Sequence, residues 1–267
     1  MLIRILTALV LAPLVIALTL QLSTPWFSFL VMLVALGGLH EWNRLTLNST
    51  AAVLAAAAAL AAIGLLLIRW PAGLLPLAFL AAAIWFILLI DLFRNGMQTS
   101  NRNLLGFGIG VLTLGGTWAA LVYLHGSVQY GPPWVIAAMA TVWAADSFAY
   151  FCGKAWGKHK LAPTISPGKT IEGVLGGLAG AGILAAALGA LILFNSANQS
   201  ETWKWILACI VAALVSVGGD LYESRLKRQA GVKDSGALLP GHGGVLDRID
   251  GLIPAMPVLV VILELLW

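Results

Sequence analysis

The sequence predicts an all-α integral membrane protein, a polytopic bundle of about nine transmembrane helices. Of its 267 residues, 60% are hydrophobic and only 10% are charged, and the mean hydropathy is +0.95. A soluble domain of this length is far less apolar. The apolar stretches are long enough to form helices, and they lack the alternation of polar and apolar residues that marks the strands of a membrane β-barrel. The whole chain, residues 1–267, is therefore expected to form a single membrane domain.

Nine apolar segments follow one another along the chain, and each predicts one membrane-spanning helix. Their approximate bounds are residues 4–22, 26–40, 51–68, 73–93, 104–124, 133–152, 172–194, 203–221 and 251–267. The first segment has no convincing small-x-small cleavage site before Thr24-Pro25, so we expect a retained span rather than a removed signal peptide. The two cysteines, Cys152 and Cys209, lie in or beside different segments and are expected to be packing residues.

Glycines inside the apolar segments predict close contacts between helices. The cluster at 106, 108 and 110 fits the dinucleotide-binding fingerprint poorly because no strand precedes it, so close packing is the expected use. The seventh segment begins with two overlapping Gly-x-x-x-Gly pairs, a spacing that lets neighbouring helices approach closely. These pairs are Gly173 with Gly177 and Gly176 with Gly180.

The distribution of Lys and Arg predicts the orientation of the bundle. If the N-terminus is cytoplasmic and successive segments alternate in direction, 13 of the 15 basic residues fall on the cytoplasmic side. Only Arg69 and Lys204 fall outside, and the positive-inside rule makes such a bias a strong indication of topology. The formal net charge of +4 then follows from topology, and no nucleic-acid partner is expected. Residues 153–171 and 222–250 form the two long cytoplasmic loops.

The first cytoplasmic loop has the features of an anion site. Asp146 lies about one and a half turns inside the sixth segment, where a carboxylate needs a partner or an ion. Residues 166–170, Ser-Pro-Gly-Lys-Thr, resemble part of a phosphate loop, but the Walker pattern fails because position 163 is Pro163. What remains is a turn in which Ser166 or Thr170 caps the seventh helix, beside Lys169 and Glu172. An ordinary capped helix in a basic loop is the open alternative.

The second cytoplasmic loop concentrates charge. Residues 220–250 contain five Asp or Glu, five Lys or Arg, one His and five Gly. If the eighth helix continues past Asp220, one face carries residues of both charge signs at helical spacing. These are Asp220, Glu223, Ser224, Lys227 and Arg228. Carboxylates from both ends of the loop, Asp220 on one side and Asp247 with Asp250 on the other, can converge on a hard cation such as Mg²⁺. A network of internal salt bridges is the alternative.

The motifs of the two loops resemble those of a known family, the phosphatidate cytidylyltransferases, also called CDP-diacylglycerol synthases. The matching residues are Ser224-x-Leu226-Lys-Arg228, Lys233-Asp234, Gly241-His-Gly-Gly244 and Asp247-Arg-x-Asp250. The earlier stretches Asp146-Ser-x-Ala-Tyr150 and Ile165-Ser-Pro-x-Lys-Thr-x-Glu-Gly173 are similar to the second motif of that family.

The resemblance implies an enzyme of the bacterial inner membrane that faces the cytoplasm and makes CDP-diacylglycerol and pyrophosphate from CTP and phosphatidate. It also implies membrane lipid as surroundings, a homodimer, and Mg²⁺ between Asp220 and Asp247 with a second, monovalent cation such as K⁺. Residues 1–130 would be mainly scaffold helices, and residues 131–267 the catalytic half.

Candidate roles follow from this chemistry, which is the attack of one anion on another. The catalytic candidates are Asp220, Asp247, Lys227, Arg228, Lys233 and His242, with Asp220 and Asp247 as metal ligands. The substrate-binding candidates are Ser166, Lys169, Ser224, Gly243, Gly244, Arg248, Asp146, Glu172, Glu223, Asp234 and Asp250. A CTP-dependent kinase of a lipid alcohol would use similar groups. A transporter or flippase is less favoured, because it usually shows inverted repeats and the polar residues here lie mostly in the C-terminal half.

Overall fold

A computed structural model of the chain describes residues 2–193, 202–238 and 243–267, and within these ranges the protein is an all-α helical bundle. Nine of the helices in the described ranges have 15 residues or more. The same ranges contain seven helical stretches that are long and apolar enough to cross a membrane, and two of these, Pro71–Asn95 and Leu246–Leu266, join a long helix to a short one before it. The helices are α1 Leu2–Gln21, α2 Thr24–Leu45, α3 Thr50–Arg69, α4 Leu74–Asn95, α5 Leu104–Gly126, α6 Pro132–Trp156, α7 Ile171–Leu193, α8 Thr202–Gln229, α9 Leu246–Ile249 and α10 Leu252–Leu266. The predicted fold class is confirmed, and the predicted count of nine spans is an approximation.

The helices differ from the predicted segments mainly at the end where the two long loops lie, which we call the loop end of the bundle. The eighth helix continues to Gln229, because its polar face there still packs on the bundle. Between α6 and α7, the expected turn is an antiparallel hairpin of β1 Lys160–Ala162 and β2 Ser166–Thr170. Thr170 accepts a hydrogen bond from the backbone N–H of Gly173, so it caps α7, one of the two capping residues proposed from the sequence.

Helices α5, α8 and α10 form the centre of the bundle. Among the seven candidate spans, α5 has 72% of its apolar window buried, whereas the alanine-rich α3 has 11% and lies at the periphery. Helices α6 and α7 approach each other closely at Gly177, where a Cβ atom would lie 2.7 Å from the Ala145 carbonyl oxygen. The predicted close packing by glycines of the seventh segment is therefore confirmed.

The earlier glycine cluster is only partly used for packing. A Cβ atom at Gly106 would overlap Asn101, and one at Gly110 would overlap Trp42, whereas nothing lies within 4 Å of one at Gly108.

The two cysteines are free, with Cys209 buried and Cys152 half-buried.

The loop between α4 and α5 holds the end of α8 in place. The Gln229 side chain accepts a hydrogen bond from the Asn101 backbone N–H and donates one to the Thr99 carbonyl oxygen. One helical turn earlier, the fully buried Arg225 binds the carboxylate of Asp91 at 2.7 Å. These contacts fix the orientation of the α8 face that carries Asp220, Glu223 and Lys227.

Candidate active site

A cavity of about 560 Å³ opens at the loop end of the bundle, between α6, the β1–β2 hairpin, α7, α8 and α9. Six of the residues proposed from the sequence line it, namely Asp146, Ser166, Lys169, Asp220, Asp247 and Asp250. Both long loops thus contribute to one cavity, as their motifs predict. Four of the lining side chains are carboxylates, and two, Lys154 and Lys169, are ammonium groups.

Three carboxylates from α8 and the α9–α10 turn form a compact acidic group. Asp220, Glu223 and Asp250 each offer an oxygen within 4.8 Å of the others. Glu223 is 2% exposed, and among the described residues its Oε1 atom has no hydrogen-bond partner. Carboxylates this close repel one another unless a cation or proton lies between them. The donor set consists of hard oxygens, which fits Mg²⁺ and not a metal that prefers sulfur or imidazole.

Asp247 faces the same cavity but is held differently. Its Oδ1 accepts a hydrogen bond from Lys227 Nζ at 2.7 Å. Its Oδ2 accepts hydrogen bonds from the backbone N–H groups of Ser235 and Gly244, at 3.0 and 2.8 Å, and lies 2.9 Å from the Ser235 hydroxyl. Both carboxylate oxygens are therefore engaged by donors of the chain. The predicted metal role of Asp247 remains a prediction, and Glu223 and Asp250 are the carboxylates grouped with Asp220.

Lys227 connects the two acidic groups. Its ammonium group bonds both the Glu223 carboxylate and Asp247, while 12% of its side chain is exposed. Since Glu223 precedes Lys227 by four residues, the helix places the two on one face, as the sequence predicts. Lys227 thus links the cation-binding candidates of α8 to α9.

The β1–β2 hairpin brings a second lysine to the acidic group. Lys169 Nζ lies 2.7 Å from Asp220 Oδ2 and donates to the Val217 carbonyl oxygen at 3.2 Å. Ser224 donates to the other oxygen of Asp220. The first loop is therefore joined to the second by an ion pair at the cavity wall.

Gly243 and Gly244 allow the chain to pass close to Asp247. Gly243 has a φ of +81°, a conformation that costs little only for glycine. A Cβ atom there would lie 2.6 Å from Asp247 Oδ2. The two glycines therefore position the chain for the N–H bond to Asp247.

The family of the chain follows from comparison of its whole length with known proteins. The model of the cytidylyltransferase family matches residues 2–266. The chain belongs to the cytidylyltransferase family. Among its relatives, the phosphatidate cytidylyltransferase of Pseudomonas aeruginosa is 39% identical over 271 residues, covering 99% of this chain and 96% of that protein.

Two further relatives of this cytidylyltransferase-family chain come from other bacterial groups. The phosphatidate cytidylyltransferase of Brucella abortus is 37% identical, covering 96% of this chain and 90% of its own length. The protein of that name in Staphylococcus haemolyticus is 32% identical, covering 89% of this chain and 88% of its own length. The resemblance found in the motifs is confirmed and extends through the scaffold helices.

Several predicted site residues of this cytidylyltransferase-family chain do not line the cavity. Four of them are exposed: Arg228, Lys233, Asp234 and Arg248. Glu172 lies at the base of the hairpin, where it accepts hydrogen bonds from the backbone N–H groups of Lys158 and His159. His242 lies outside the described residues. The substrate contacts proposed for these side chains remain predictions.

Glu41 of α2 contacts the chain just before Asp247, and no motif in the sequence marks it as a site residue. It is 1% exposed and accepts hydrogen bonds from the backbone N–H groups of Val245 and Leu246, at 3.1 and 2.8 Å. Glu41 and Asp91 thus bring carboxylates of α2 and α4 into contact with the loop before α9 and with Arg225 of α8. The only available signal was the unusual presence of a carboxylate at the end of an apolar segment.

Proposed function

We propose that this protein is a phosphatidate cytidylyltransferase, which converts CTP and phosphatidate to CDP-diacylglycerol and pyrophosphate. The observation that supports this most directly is the convergence of both family motifs on one cavity whose wall carries four carboxylates and two lysines. A cavity of about 560 Å³ is in the size range of small-molecule sites. Its position at the end of a membrane-type bundle suits a substrate that is half lipid.

The reaction joins two anions. A phosphate oxygen of phosphatidate attacks the α-phosphorus of CTP, forming a new P–O bond. The bond between the α-phosphorus and the bridging oxygen then breaks, and pyrophosphate leaves with the electron pair. Because the second pKa of a phosphomonoester is about 6, the attacking group is already anionic near neutral pH and needs no strong general base. The task of the protein is to align the reactants and neutralise their charge.

The acidic group of the cavity is the proposed place for Mg²⁺. Asp220 belongs both to the predicted pair with Asp247 and to the compact group with Glu223 and Asp250, so the proposal depends on it most. The buried, unpartnered Oε1 atom of Glu223 supports a ligand at this position. A divalent cation bound there would supply positive charge to the phosphate oxygens of CTP. The second, monovalent cation stays a prediction from the resemblance.

The lysines have complementary roles in this proposal. Lys169 is carried by a hairpin and binds Asp220, so it is placed to contact a phosphate oxygen brought beside that carboxylate. Lys227 holds Asp247 and Glu223 in fixed positions and screens their mutual repulsion. Ser166 and Lys154 line the same cavity and offer further donors to phosphate oxygens.

We also propose that the loop end faces the cytoplasm of a bacterial cell, in the inner membrane. The support is the excess of Lys and Arg at this end of the bundle, with Arg69 ending α3 at the opposite end. The relatives are bacterial proteins, and an active site that uses CTP must open to the cytoplasm, where CTP is present. The homodimer stays a prediction, which the mass of the purified protein in detergent would test.

The proposed reaction is tested with the purified full-length protein, CTP labelled in the cytosine, Mg²⁺ and phosphatidate in mixed micelles. We expect label in a liponucleotide and release of pyrophosphate. A parallel reaction with diacylglycerol in place of phosphatidate tests the kinase alternative. A kinase would convert the diacylglycerol to phosphatidate and release labelled CDP. Product with diacylglycerol and none with phosphatidate would contradict the proposal.

A further inference from the structure

Glu41 holds the loop that carries Asp247 by contacts to two separated parts of the chain. Its Oε1 accepts from the Val245 N–H, and its Oε2 accepts from the Leu246 N–H. The Ser235 hydroxyl lies 2.8 Å from the same Oε2. The residues before α9 and the residues after α8 are thus both tied to one carboxylate on α2.

Ser235 extends this contact to Asp247. Its hydroxyl lies 2.9 Å from Asp247 Oδ2 while it is 2.8 Å from Glu41 Oε2. Its backbone N–H also donates to Asp247 Oδ2. Since Ser235 is 3% exposed, water does not compete freely for these groups, and Asp247 is held by an arrangement that begins at Glu41.

Two glycines of the loop leave room for the Glu41 carboxylate. A Cβ atom at Gly236 would lie 2.3 Å from Glu41 Oε1, and one at Gly244 would lie 2.1 Å from Glu41 Oε2. Neither position can carry a side chain without moving the loop or the carboxylate. The donors to Glu41 are neutral, although a buried carboxylate is costly unless it is fully hydrogen-bonded. The hydrogen bonds to Glu41 therefore fix the position of the loop more than they add to the free energy of unfolding.

We propose that Glu41 is a positioning residue of the cytidylyl transfer: it fixes residues 235–236 and 243–247 against α2, and thereby sets the positions of Asp247 and of Lys227, which Asp247 binds. The kinetic part of this proposal rests on the function proposed above. Glu41 itself does not line the cavity and is assigned no contact with substrate.

The test replaces Glu41 by Gln in the full-length protein. An amide keeps one acceptor oxygen but turns an NH₂ group toward donors of the loop, so at least one bond to Val245, Leu246 or Ser235 is lost. The matched control is Glu264→Gln. Glu264 lies on α10, about 20 Å along the helix from Asp250 at a rise of about 1.5 Å per residue.

Two measurements are made on each variant, and one of them does not depend on activity. Hydrogen–deuterium exchange reports the backbone N–H groups of residues 235–236 and 243–247 in the protein without substrate. Turnover of CTP and phosphatidate reports the reaction. For Glu41→Gln we expect faster exchange in these two segments, unchanged exchange in α5 and α10, and kcat lowered by about tenfold or more, because small displacements of reacting groups are costly. Glu264→Gln should match the wild type in both.

The outcomes separate the positioning role from the proposed function. Wild-type exchange in Glu41→Gln, or faster exchange with unchanged kcat, would overturn the positioning role. A wild-type protein that makes no CDP-diacylglycerol would contradict the proposed function, while the exchange data would still decide whether Glu41 holds the loop.

If Glu41→Gln does not fold, the Ser235→Ala variant tests the positioning role instead, because it removes only the hydroxyl between Glu41 and Asp247. Faster exchange at residues 243–247 with reduced kcat is then expected, and wild-type behaviour would overturn the proposal.

Discussion

Lys227 Nζ lies 2.7 Å from Asp247 Oδ1 and joins the end of α8 to α9. The two side chains are 12% and 7% exposed, so the pair is shielded from water and salt. Removal of one partner of such a pair leaves an uncompensated buried charge.

Lys227→Met should therefore abolish most activity and weaken the fold. The variant leaves Glu223 and Asp247 without their shared cation, a loss of about 3–5 kcal/mol for a buried pair. We expect turnover to fall by at least about a hundredfold, corresponding to roughly 2.7 kcal/mol or more of transition-state stabilisation. Lys158→Met, at an exposed lysine of the hairpin connection, is the control. Turnover of Lys227→Met within twofold of the control would refute the role of the pair.

Glu223→Gln should raise the Mg²⁺ requirement. The change removes one negative charge from the group formed with Asp220 and Asp250 but keeps the size of the side chain. We expect the Mg²⁺ concentration for half-maximal activity to rise by about tenfold or more, the usual scale for a lost ligand or its supporting contact. Titration of Mg²⁺ into the chelator-treated protein measures it, with Glu264→Gln as the control. Superimposable Mg²⁺ curves for the two variants would rule out a cation at Glu223.

Arg225→Met should destabilise the loop end of the bundle. Arg225 is fully buried, pairs with Asp91 and donates to the Gly96 carbonyl oxygen at 3.1 Å. Methionine fills a similar volume but removes the cationic partner of Asp91. Because the Asp91 side chain is 24% exposed, the cost lies below the roughly 3–5 kcal/mol lost when a fully buried pair is broken. The apparent Tm in detergent should fall well below that of Arg94→Met, which alters an exposed arginine of α4. Equal Tm values would show that the Asp91 pair does not support the bundle.

Gly177→Ala should loosen the contact between α6 and α7. A Cβ atom at Gly177 would lie 2.7 Å from the Ala145 carbonyl oxygen, so the helices must separate by several tenths of an ångström. Gly108→Ala is the matched control, because nothing lies within 4 Å of a Cβ atom there. Alanine favours a helix over glycine by about 1 kcal/mol, so Gly108→Ala should keep or raise the apparent Tm while Gly177→Ala lowers it. A higher Tm for both variants would contradict the packing argument.

The sequence predicted much of the site because its residues lie close together along the chain. Asp220, Glu223 and Lys227 recur at helical spacing, so their common face could be inferred from the period of the helix alone. The convergence of Asp220 with Asp247 and Asp250 was inferred from the need of buried carboxylates for a shared partner. The family motifs supplied the reaction and the substrates.

Other parts of the site could not be inferred in this way. The hairpin that brings Lys169 to Asp220 depends on strand pairing across a short loop with few strand-forming residues. Glu41 and Ser235 are 194 positions apart, and no local pattern relates them. The grouping of Asp220 with Glu223 and Asp250 depends on how the turn between α9 and α10 approaches α8.

The amino-acid sequence by itself determined the membrane class, the approximate spans and the chemical character of the two loops, because hydropathy, charge and helical period are properties of neighbouring residues. The tertiary structure decided which carboxylates lie grouped with Asp220, that donors of the chain bind both oxygens of Asp247, and that a carboxylate of α2 holds the loop before α9. The physical reason is that these facts depend on which helices pack together, and side chains from distant segments meet only when that packing is complete.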